Sequence, residues 1–296
     1  MNFDHPLQRK HLLTLENDWY RNVCQSFWQQ QLLWDGTDMT TELLANNEES
    51  IAILTAKSEG IVAGIQEAHF FVEQESLHAE WNKKDGDVVF PGEKIVRLSG
   101  SAQTILRIER TLLNFLSRLS GIATKTYEIR QSIPQEILLC ATRKTLWGAL
   151  DKRAVAVGGG GTHRLGLFDA IMIKDNHLAL VSGDMKQVVT HINEYPFSEK
   201  KPAFWEIEVD TEEQFQELLN NLPQSRPGGI LFDNFSPTHL QTLLAKTQKP
   251  EGIFYEASGG ITPENIQEYA NSGVDAISSG MLTNAAHALD ISLALL

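Results

Sequence analysis

The sequence lacks the features of disulfide-rich and membrane-spanning proteins. Its 296 residues include two cysteines, Cys24 and Cys140, too few for a framework of disulfides or a cysteine-rich metal site. No apolar run reaches the ~18 uninterrupted residues that indicate a membrane span. The first residues, Met-Asn-Phe-Asp-His, carry neither the basic nor the apolar segment of a secretory signal. We therefore expect a soluble, cytoplasmic protein with no membrane partner.

Positive charge is also scarce. The chain has 25 lysines and arginines against 38 aspartates and glutamates, a formal net charge of −13. An acidic surface repels polyanions, so general binding to nucleic acid is not expected. The histidines form no H-E-x-x-H motif and no pair with cysteine, so no zinc site is predicted. Apolar residues make up 42% of the chain, which is enough for a core in each of about two domains.

The first part of the chain is predicted to be mixed α+β. Residues 6–34 have apolar residues at mostly helical spacing, and residues 50–56 form a strand-like run. Glycines then separate short strand-like segments, at 87–90 and 94–98. An apolar stripe beyond them predicts a long helix that we expect to end at Gly121. The stripe consists of Ile105, Ile108, Leu112, Phe115 and Leu119.

After Pro134, short apolar runs alternate with polar, helix-compatible stretches. This alternation predicts βαβ units and a parallel sheet, and hence an α/β fold. Periodicity does not distinguish an open, doubly wound sheet from a partial barrel. The predicted strands are 137–140, 170–173, 204–209, 229–232, 253–257 and 274–277. The predicted helices are 148–157, 184–194, 211–222, 237–246 and 263–272.

Polar side chains stand at or just after the end of every one of these strands. Any single polar loop would need no explanation, but six in succession predict a functional rim. Parallel α/β sheets and barrels place their sites at this end, because the loops converge there. The polar segments are 142–145, 174–177, Glu206 with Glu208, 233–234, 256–260 and 278–280.

A local excess of positive charge lies between Arg143 and Lys174. This stretch has six lysines and arginines against two acids, although the whole chain is acidic. Such a cluster indicates a pocket for a small polyanion rather than a track for a polymer. We expect Lys152 and Arg153 to lie on a solvated helix face. The other four are predicted to contact carboxylate or phosphate: Arg143, Lys144, Arg164 and Lys174.

Three glycine-containing loops differ in what they predict. Residues 158–161 fit neither the P-loop nor G-x-G-x-x-G, so we interpret them as a helix stop and turn. Residues 258–260 and 279–280 follow the last two strands. There, backbone N–H groups could bind a phosphate, and a plain tight turn is the alternative.

Carboxylates on adjacent predicted strands suggest a magnesium site. Glu208 and Asp233 could share Mg²⁺, which prefers a few carboxylates together with phosphate oxygens. Glu206 lies two residues earlier on the same strand face, so the pattern leaves open which of the two glutamates takes this role.

On these motifs the chain resembles the quinolinate phosphoribosyltransferase family, also called nicotinate-nucleotide pyrophosphorylase (carboxylating). The matching segments run in order through most of the chain. They are ERTLLN (109–114), LSGIAT (119–124), TRKT (142–145), HRLGL (163–167), KDNH (174–177), EIEV (206–209), DN (233–234), EASGGI (256–261) and LDISL (289–293).

The resemblance implies a fold and an assembly. It implies an N-terminal α/β domain over residues 1–115, completed by about residues 285–296, and an incomplete parallel α/β barrel over residues 116–284. It also implies a homodimer, or a larger assembly, in which the N-terminal domain of one subunit caps the barrel of the other. Arg110 would then complete the neighbouring site.

The resemblance also implies the activity. The enzyme would transfer the phosphoribosyl group of phosphoribosyl pyrophosphate (PRPP) to quinolinate with loss of CO₂, giving nicotinate mononucleotide and pyrophosphate for NAD biosynthesis, with Mg²⁺ as cofactor. The implied catalytic residues are Lys144, Lys174, Glu208 and Asp233, the last two also facing Mg²⁺. The implied quinolinate ligands are Arg110, Arg143, His163, Arg164 and Lys174. The implied ligands of the PRPP 5-phosphate are Ser258, Gly259, Gly260 and Gly280, with Lys144 and Lys174 serving its other phosphates.

The sequence departs from the family pattern at a few positions. Ala141 replaces an aspartate, Thr162 an asparagine and Asn284 a histidine, and residues 146–148 replace a Thr-Pro-Gly-like turn. Two other functions are considered: a molybdenum-transport-associated paralogue with a different acceptor, and a non-catalytic anion-binding barrel. The TRKT and KDNH segments favour quinolinate over the first. The cations and carboxylates that remain argue against the second.

Overall fold

The computed structural model describes residues 5–44, 48–225 and 227–296. The chain divides into two compact units, each assembled from separate segments. The parallel-sheet unit comprises the described residues up to Arg9, Ile129–Lys144 and Gly161–Met281. The antiparallel-sheet unit comprises Lys10–Glu128, Thr145–Gly160 and Leu282–Leu296. The domain boundary at residues 115 and 116 stays a prediction.

Strands and helices alternate regularly only in the second half of the chain. The strands are β1 (Glu49–Ala56), β2 (Gly60–Ile61), β3 (His78–Trp81), β4 (Val88–Val89), β5 (Lys94–Ser101), β6 (Leu138–Cys140), β7 (Ile171–Ile173), β8 (Trp205–Val209), β9 (Gly228–Asp233), β10 (Ile253–Ser258), β11 (Ala276–Ser278) and β12 (Ile291–Leu295). The helices are α1 (Asp18–Asp35), α2 (Met39–Leu44), α3 (Ile65–Gln74), α4 (Ala102–Gln131), α5 (Ala149–Val157), α6 (Asp175–Leu180), α7 (Met185–Glu194), α8 (Phe197–Lys200), α9 (Glu212–Asn220), α10 (Pro237–Ala245), α11 (Ile266–Ala270) and α12 (Met281–Asn284). None of these helices is both long and apolar enough to cross a bilayer.

The antiparallel-sheet unit is built on four strands in the order β12-β1-β5-β3. The strand β12 pairs with β1, with Ala56 opposite Ile291, so the end of the described chain joins the sheet of the first part. Aromatic rings fill the core beside it. Trp28 stacks on Phe71 with ring centroids 4.7 Å apart, and Phe71 meets Phe115 edge-on at 5.1 Å. Such pairs stabilise a core beyond the area they bury.

One expectation for this part of the chain holds only in part, and one is wrong. Only the later part of residues 6–34 is α-helical, because α1 begins where the side chain of Asn17 accepts a hydrogen bond from the Tyr20 N–H at 3.2 Å. The long helix α4 continues past Gly121 to Gln131. A Cβ at Gly121 would lie 2.0 Å from the carbonyl oxygen of His287. This glycine therefore permits a close backbone approach, and its cost of about 1 kcal/mol does not end a long helix.

The parallel-sheet unit contains six parallel strands in the order β6-β11-β10-β9-β8-β7. From β7 to β11 the spatial order follows the chain order, and β6 then lies beside β11. The order is therefore cyclic with one gap, between β6 and β7, which is the arrangement of an incomplete barrel. This confirms the predicted α/β fold class and decides against the open, doubly wound alternative.

The barrel strands are short, and all except β7, which is half-buried, are mostly buried on both faces, which is why apolar runs were sufficient to predict them. All five residues of β8 are buried. Two glycines begin β9 because aromatic rings pack against its backbone: a Cβ at Gly228 would lie 2.1 Å from the ring of Trp205. An apolar cluster in this unit includes a residue of the first segment. Its buried members are Leu7, Cys140, Ala170, Phe204, Phe254 and Ala276.

Candidate active site

A cavity of about 540 Å³ lies at the C-terminal ends of the barrel strands. This volume lies within the range of about 300–1,000 Å³ that is typical of small-molecule sites. Asp233, Ser258 and Ser278, which are the last residues of β9, β10 and β11, all line it. The structure brings eight of the predicted site residues to this cavity: Arg143, Lys144, His163, Arg164, Lys174, Glu208, Asp233 and Ser258.

The other predicted residues do not line the cavity. Gly259 and Gly260 follow Ser258 with positive φ of 89° and 60°, and a Cβ at Gly259 would lie 2.3 Å from Oδ1 of Asn234. Glycine is therefore required at position 259. Gly280 follows β11 by two residues. Arg110 belongs to the antiparallel-sheet unit, where it is exposed on α4.

Two guanidinium groups lie close enough to influence one another. Arg143 is exposed at the cavity, whereas Arg164 is 6% exposed. Burial, together with the charge of Arg143, lowers the pKa of Arg164. Like charges repel, so this pair is favourable when an anion lies between them, and guanidinium forks match carboxylate geometry.

Lys174 is fixed at the junction of β7 and α6. It is the N-cap of α6, and its backbone N–H donates to Nδ1 of His177 at 3.0 Å. Its ammonium group contacts Oε2 of Glu208. Burial raises the pKa of Glu208, and Lys174 opposes that shift.

Asp233 is fixed by the residue that follows it. Asn234 adopts a positive φ of 58°, and its side-chain amide donates to Oδ2 of Asp233 at 2.7 Å. The backbone N–H of Asn234 donates to the carbonyl of Ser258 at 2.9 Å, which ties the ends of β9 and β10 together. Burial raises the pKa of Asp233, and the charges of Lys174 and Lys144 oppose that shift.

Three carboxylates converge where the magnesium site was predicted. Oxygens of Glu208, Asp210 and Asp233 lie within 4.8 Å of one another. This all-oxygen donor set fits Mg²⁺, a hard cation that keeps some ligand positions for water and phosphate. The sequence argument missed Asp210, which directly follows β8, two residues after Glu208.

Glu206 and Glu208 share a strand face but lie at different depths. Glu208 lines the cavity, whereas Glu206 is fully buried and its Oε2 lies 3.1 Å from Nε2 of His163. Glu256 of β10, which the sequence argument did not assign, is also fully buried, with Oε2 3.3 Å from the same nitrogen. Burial and the neighbouring Glu256 carboxylate raise the pKa of Glu206 to about 7. The sequence did offer a signal for Glu256, because it is a charged residue within the otherwise apolar predicted strand 253–257.

Part of the predicted positive cluster is not at the cavity. Lys152 and Arg153 do not lie on a solvated face, because Lys152 is 1% exposed and Arg153 is paired inside the antiparallel-sheet unit. The Arg153 guanidinium donates to Glu67 at 3.2 Å and to Asp85 at 2.8 Å. These partners are 86 and 68 residues away along the chain, so helical spacing could not reveal them.

A buried aspartate holds the turn that departs from the family pattern. The backbone N–H groups of Leu146 and Trp147 both donate to Oδ2 of Asp151 at 3.1 Å. Arg118 donates two hydrogen bonds to the same carboxylate, at 2.9 and 2.7 Å. The turn therefore has its own bidentate anchor within the antiparallel-sheet unit.

Comparison with known proteins decides the family. The profile described as "Quinolinate phosphoribosyl transferase, N-terminal domain" matches residues 38–120, and the profile for the C-terminal domain of the same family matches residues 122–294. The chain belongs to the quinolinate phosphoribosyltransferase family. The predicted family is confirmed.

Relatives within the quinolinate phosphoribosyltransferase family match over most of their length. The probable nicotinate-nucleotide pyrophosphorylase (carboxylating) of Methanothermobacter thermautotrophicus is 37% identical over 265 residues, covering 86% of this chain and 92% of that protein. The probable nicotinate-nucleotide pyrophosphorylase (carboxylating) of Bacillus subtilis is 39% identical over 267 residues, covering 86% of this chain and 87% of that protein. The solved structure of the nicotinate-nucleotide pyrophosphorylase from Francisella tularensis superposes with a TM-score of 0.81 at 29% identity, covering 93% of this chain and 96% of that chain.

Proposed function

We propose that the protein transfers the phosphoribosyl group of PRPP to quinolinate with loss of CO₂, giving nicotinate mononucleotide and pyrophosphate. One observation carries the proposal: a single cavity combines a pair of guanidinium groups with a cluster of carboxylates that suits Mg²⁺. The first set suits a small dianion, and the second suits a metal-bound pyrophosphate. The names of the relatives support this reaction.

The cations select the acceptor. Quinolinate carries two adjacent carboxylates, and we assign them to Arg143, Arg164 and Lys174, which all line the cavity. Nicotinate lacks one of these carboxylates and would make fewer charge-assisted hydrogen bonds with these cations. A site built to bind two carboxylates therefore prefers the dicarboxylate.

The transfer needs no general base, because the ring nitrogen of quinolinate has a free lone pair. This lone pair forms the bond to C1 of the ribose while the bond from C1 to the pyrophosphate oxygen breaks. The carboxylates of Glu208 and Asp233 offset the positive charge that develops on the ribose, and the ammonium of Lys144 serves the departing phosphates. When bound at Glu208, Asp210 and Asp233, Mg²⁺ would neutralise charge on the pyrophosphate.

The loss of CO₂ follows from the positive charge on the alkylated nitrogen. The bond between the ring carbon and its carboxylate breaks, and the electron pair stays on that carbon, next to the cationic nitrogen. A proton then takes the place of CO₂. We assign Lys174 to the reacting carboxylate, where its ammonium orients the group and can supply the proton.

The rest of the proposal concerns the 5-phosphate and the assembly. We assign the 5-phosphate of PRPP to Ser258, Gly259, Gly260 and Gly280. A homodimer, with Arg110 completing the neighbouring site, is supported by exposed apolar residues in the last turn of α1 and on α2, a surface that a partner subunit would bury. They are Leu33, Trp34, Met39, Leu43 and Leu44. We place the protein in the cytoplasm.

The test is an acceptor comparison with the purified protein. It is incubated with PRPP, Mg²⁺ and either quinolinate or nicotinate, and nicotinate mononucleotide, CO₂ and pyrophosphate are quantified. We expect product with quinolinate, with one CO₂ released per nucleotide. Reaction with nicotinate or another acceptor, and none with quinolinate, would overturn the proposal.

A further inference from the structure

A closed cluster of three ionisable side chains lies at the base of the cavity. His163 is 4% exposed, and Glu206 and Glu256 are fully buried. Nε2 of His163 lies 3.1 Å from one carboxylate and 3.3 Å from the other. Among the residues that the structure describes, neither His163 Nε2 nor any carboxylate oxygen of the two glutamates has a hydrogen-bond partner of good geometry, so ion-pair contacts hold the three side chains together. Nothing in the proposed reaction so far uses the two glutamates.

The other nitrogen of the same imidazole holds the backbone of Arg164. The Arg164 N–H donates to Nδ1 of His163 at 2.7 Å. Nδ1 therefore carries a lone pair, and the ring proton lies on Nε2, between the two carboxylates. Nε2 faces both carboxylates at ion-pair distance, so these carboxylates compete with a substrate carboxylate for its proton. The direct contact of His163 with quinolinate that the family resemblance implies stays a prediction.

The turn at residues 162–164, which carries Arg164, has a strained backbone that several contacts hold in place. His163 has a positive φ of 51°, which a non-glycine residue adopts only when its surroundings impose it. Its backbone N–H donates to the Leu7 carbonyl at 3.0 Å. The Thr162 hydroxyl accepts from the Arg9 N–H at 2.8 Å. The side-chain cluster is the third restraint on the same turn.

The same three side chains have to be weighed as a metal site. Their donor atoms lie within 4.8 Å of one another, which is close enough for one ion. A metal on Nε2 would require the ring proton on Nδ1, and Nδ1 accepts a hydrogen bond from the backbone. The hydrogen-bond pattern therefore favours a proton, and not a metal, between His163 and the carboxylates.

We infer that Glu206 and Glu256 are positioning residues that act through His163 to aim the Arg164 guanidinium at the acceptor carboxylate. The inference rests on the proposed function and adds two residues to it. Glu206 then has no part in the magnesium site, which belongs to Glu208, Asp210 and Asp233.

The test is a double-mutant cycle read out as ligand affinity. The dissociation constants of quinolinate and of PRPP with Mg²⁺ are measured for the unaltered protein, for Glu206→Ala and Arg164→Ala, and for the double variant. We expect Glu206→Ala to weaken quinolinate binding about tenfold or more and PRPP binding by less than about twofold, since contacting residues couple strongly. In the Arg164→Ala background the further loss should fall below about threefold.

Two further variants separate positioning from a general loss of structure. Glu256→Gln keeps an oxygen that accepts the imidazole proton, so it should retain most of the quinolinate affinity, and Glu256→Ala should not. The buried Glu67 of the antiparallel-sheet unit gives a matched control: Glu67→Gln should leave the quinolinate dissociation constant unchanged. These variants also test the inference if Glu206→Ala does not fold.

Several results would overturn the inference. They are an equal effect of Glu206→Ala in both backgrounds, a raised Mg²⁺ requirement in place of weaker quinolinate binding, or a stoichiometric metal ion that is lost in Glu256→Ala. If the unaltered protein itself fails to bind quinolinate, it is the proposed function that fails.

Discussion

The ammonium group of Lys174 and the carboxylate of Glu208 are in direct contact, and both line the cavity. The Lys174 side chain is 38% exposed and the Glu208 side chain is 9% exposed. The pair therefore extends from the solvent-exposed part of the cavity to its buried part. This arrangement supports the proposed roles of Lys174 at the phosphates and at the departing carboxylate.

Replacing this lysine should affect chemistry more than stability. We expect Lys174→Met to lower kcat/KM by roughly 10²–10³-fold, because a charge aimed at the developing negative charge is lost. The melting temperature should change little, since the lysine is partly exposed. Steady-state kinetics with both substrates measure the effect, and Lys186→Met, an exposed lysine of α7, is the control. A loss of less than about threefold would exclude the assigned role.

Asp210 should contribute to the magnesium requirement. Its carboxylate lies with those of Glu208 and Asp233, so Asp210→Asn removes one charged oxygen from the set. We expect the Mg²⁺ concentration for half-maximal activity to rise about tenfold, as in other metal sites that lose a supporting group. The neighbouring exposed acid gives the control, Glu212→Gln. An unchanged Mg²⁺ dependence would remove Asp210 from the site.

Removing Arg153 should destabilise the protein in a pH-dependent way. Glu67 is 1% exposed and accepts from Arg153 at 3.2 Å and from the Tyr20 hydroxyl at 2.9 Å. Burial raises the pKa of Glu67, and Arg153 opposes that shift. In Arg153→Met the folded pKa therefore rises further above the unfolded value. The unfolding free energy should fall by about 3 kcal/mol at pH 8, where the carboxylate is ionised and has lost its cationic partner.

The same variant should lose less stability at pH 5. A group whose folded pKa is raised favours folding while it is protonated, and that contribution is lost as the pH rises through the folded pKa. Urea unfolding at pH 5 and pH 8 measures the difference. Arg97→Met, which breaks an exposed pair with Glu80, should cost less than about 1 kcal/mol at either pH. Equal losses at both pH values for Arg153→Met would contradict the account.

Neither cysteine should react in the folded protein. Burial raises the pKa of the Cys24 thiol to about 12, and Cys24 and Cys140 are both fully buried. A disulfide reagent such as Ellman's should therefore find two thiols only after denaturation. Fast reaction of either thiol with the native protein would show that the core around it opens.

The six barrel strands could be predicted because each is a short apolar run that ends in polar residues. The predicted strands 204–209 and 253–257 correspond to β8 and β10, and each differs from the observed strand by one residue at one end. The clustering of Arg143, Lys174 and Asp233 followed from the same rule, since the ends of parallel strands meet.

The predictions that failed concerned residues whose contacts lie far away along the chain. Helical spacing could not show that Arg153 of α5 pairs with Glu67 of α3. Strand alternation placed Glu206 and Glu208 on one face, but not the depth that separates them. Gly121 was expected to end the helix because glycine is a weak helix former. The backbone of residue 287 packs so closely against Gly121 that only glycine fits there, which explains its place inside α4.

The central claim is that the guanidinium pair selects the dicarboxylate acceptor, and Arg143→Ala tests it most directly. The dissociation constants of quinolinate and of PRPP with Mg²⁺ are measured by calorimetry for the unaltered protein and the variant. We predict that quinolinate binding weakens by about 1.5–3 kcal/mol, the range for a hydrogen bond to a charged group, while PRPP binding changes far less. Equal losses for the two ligands would contradict the account.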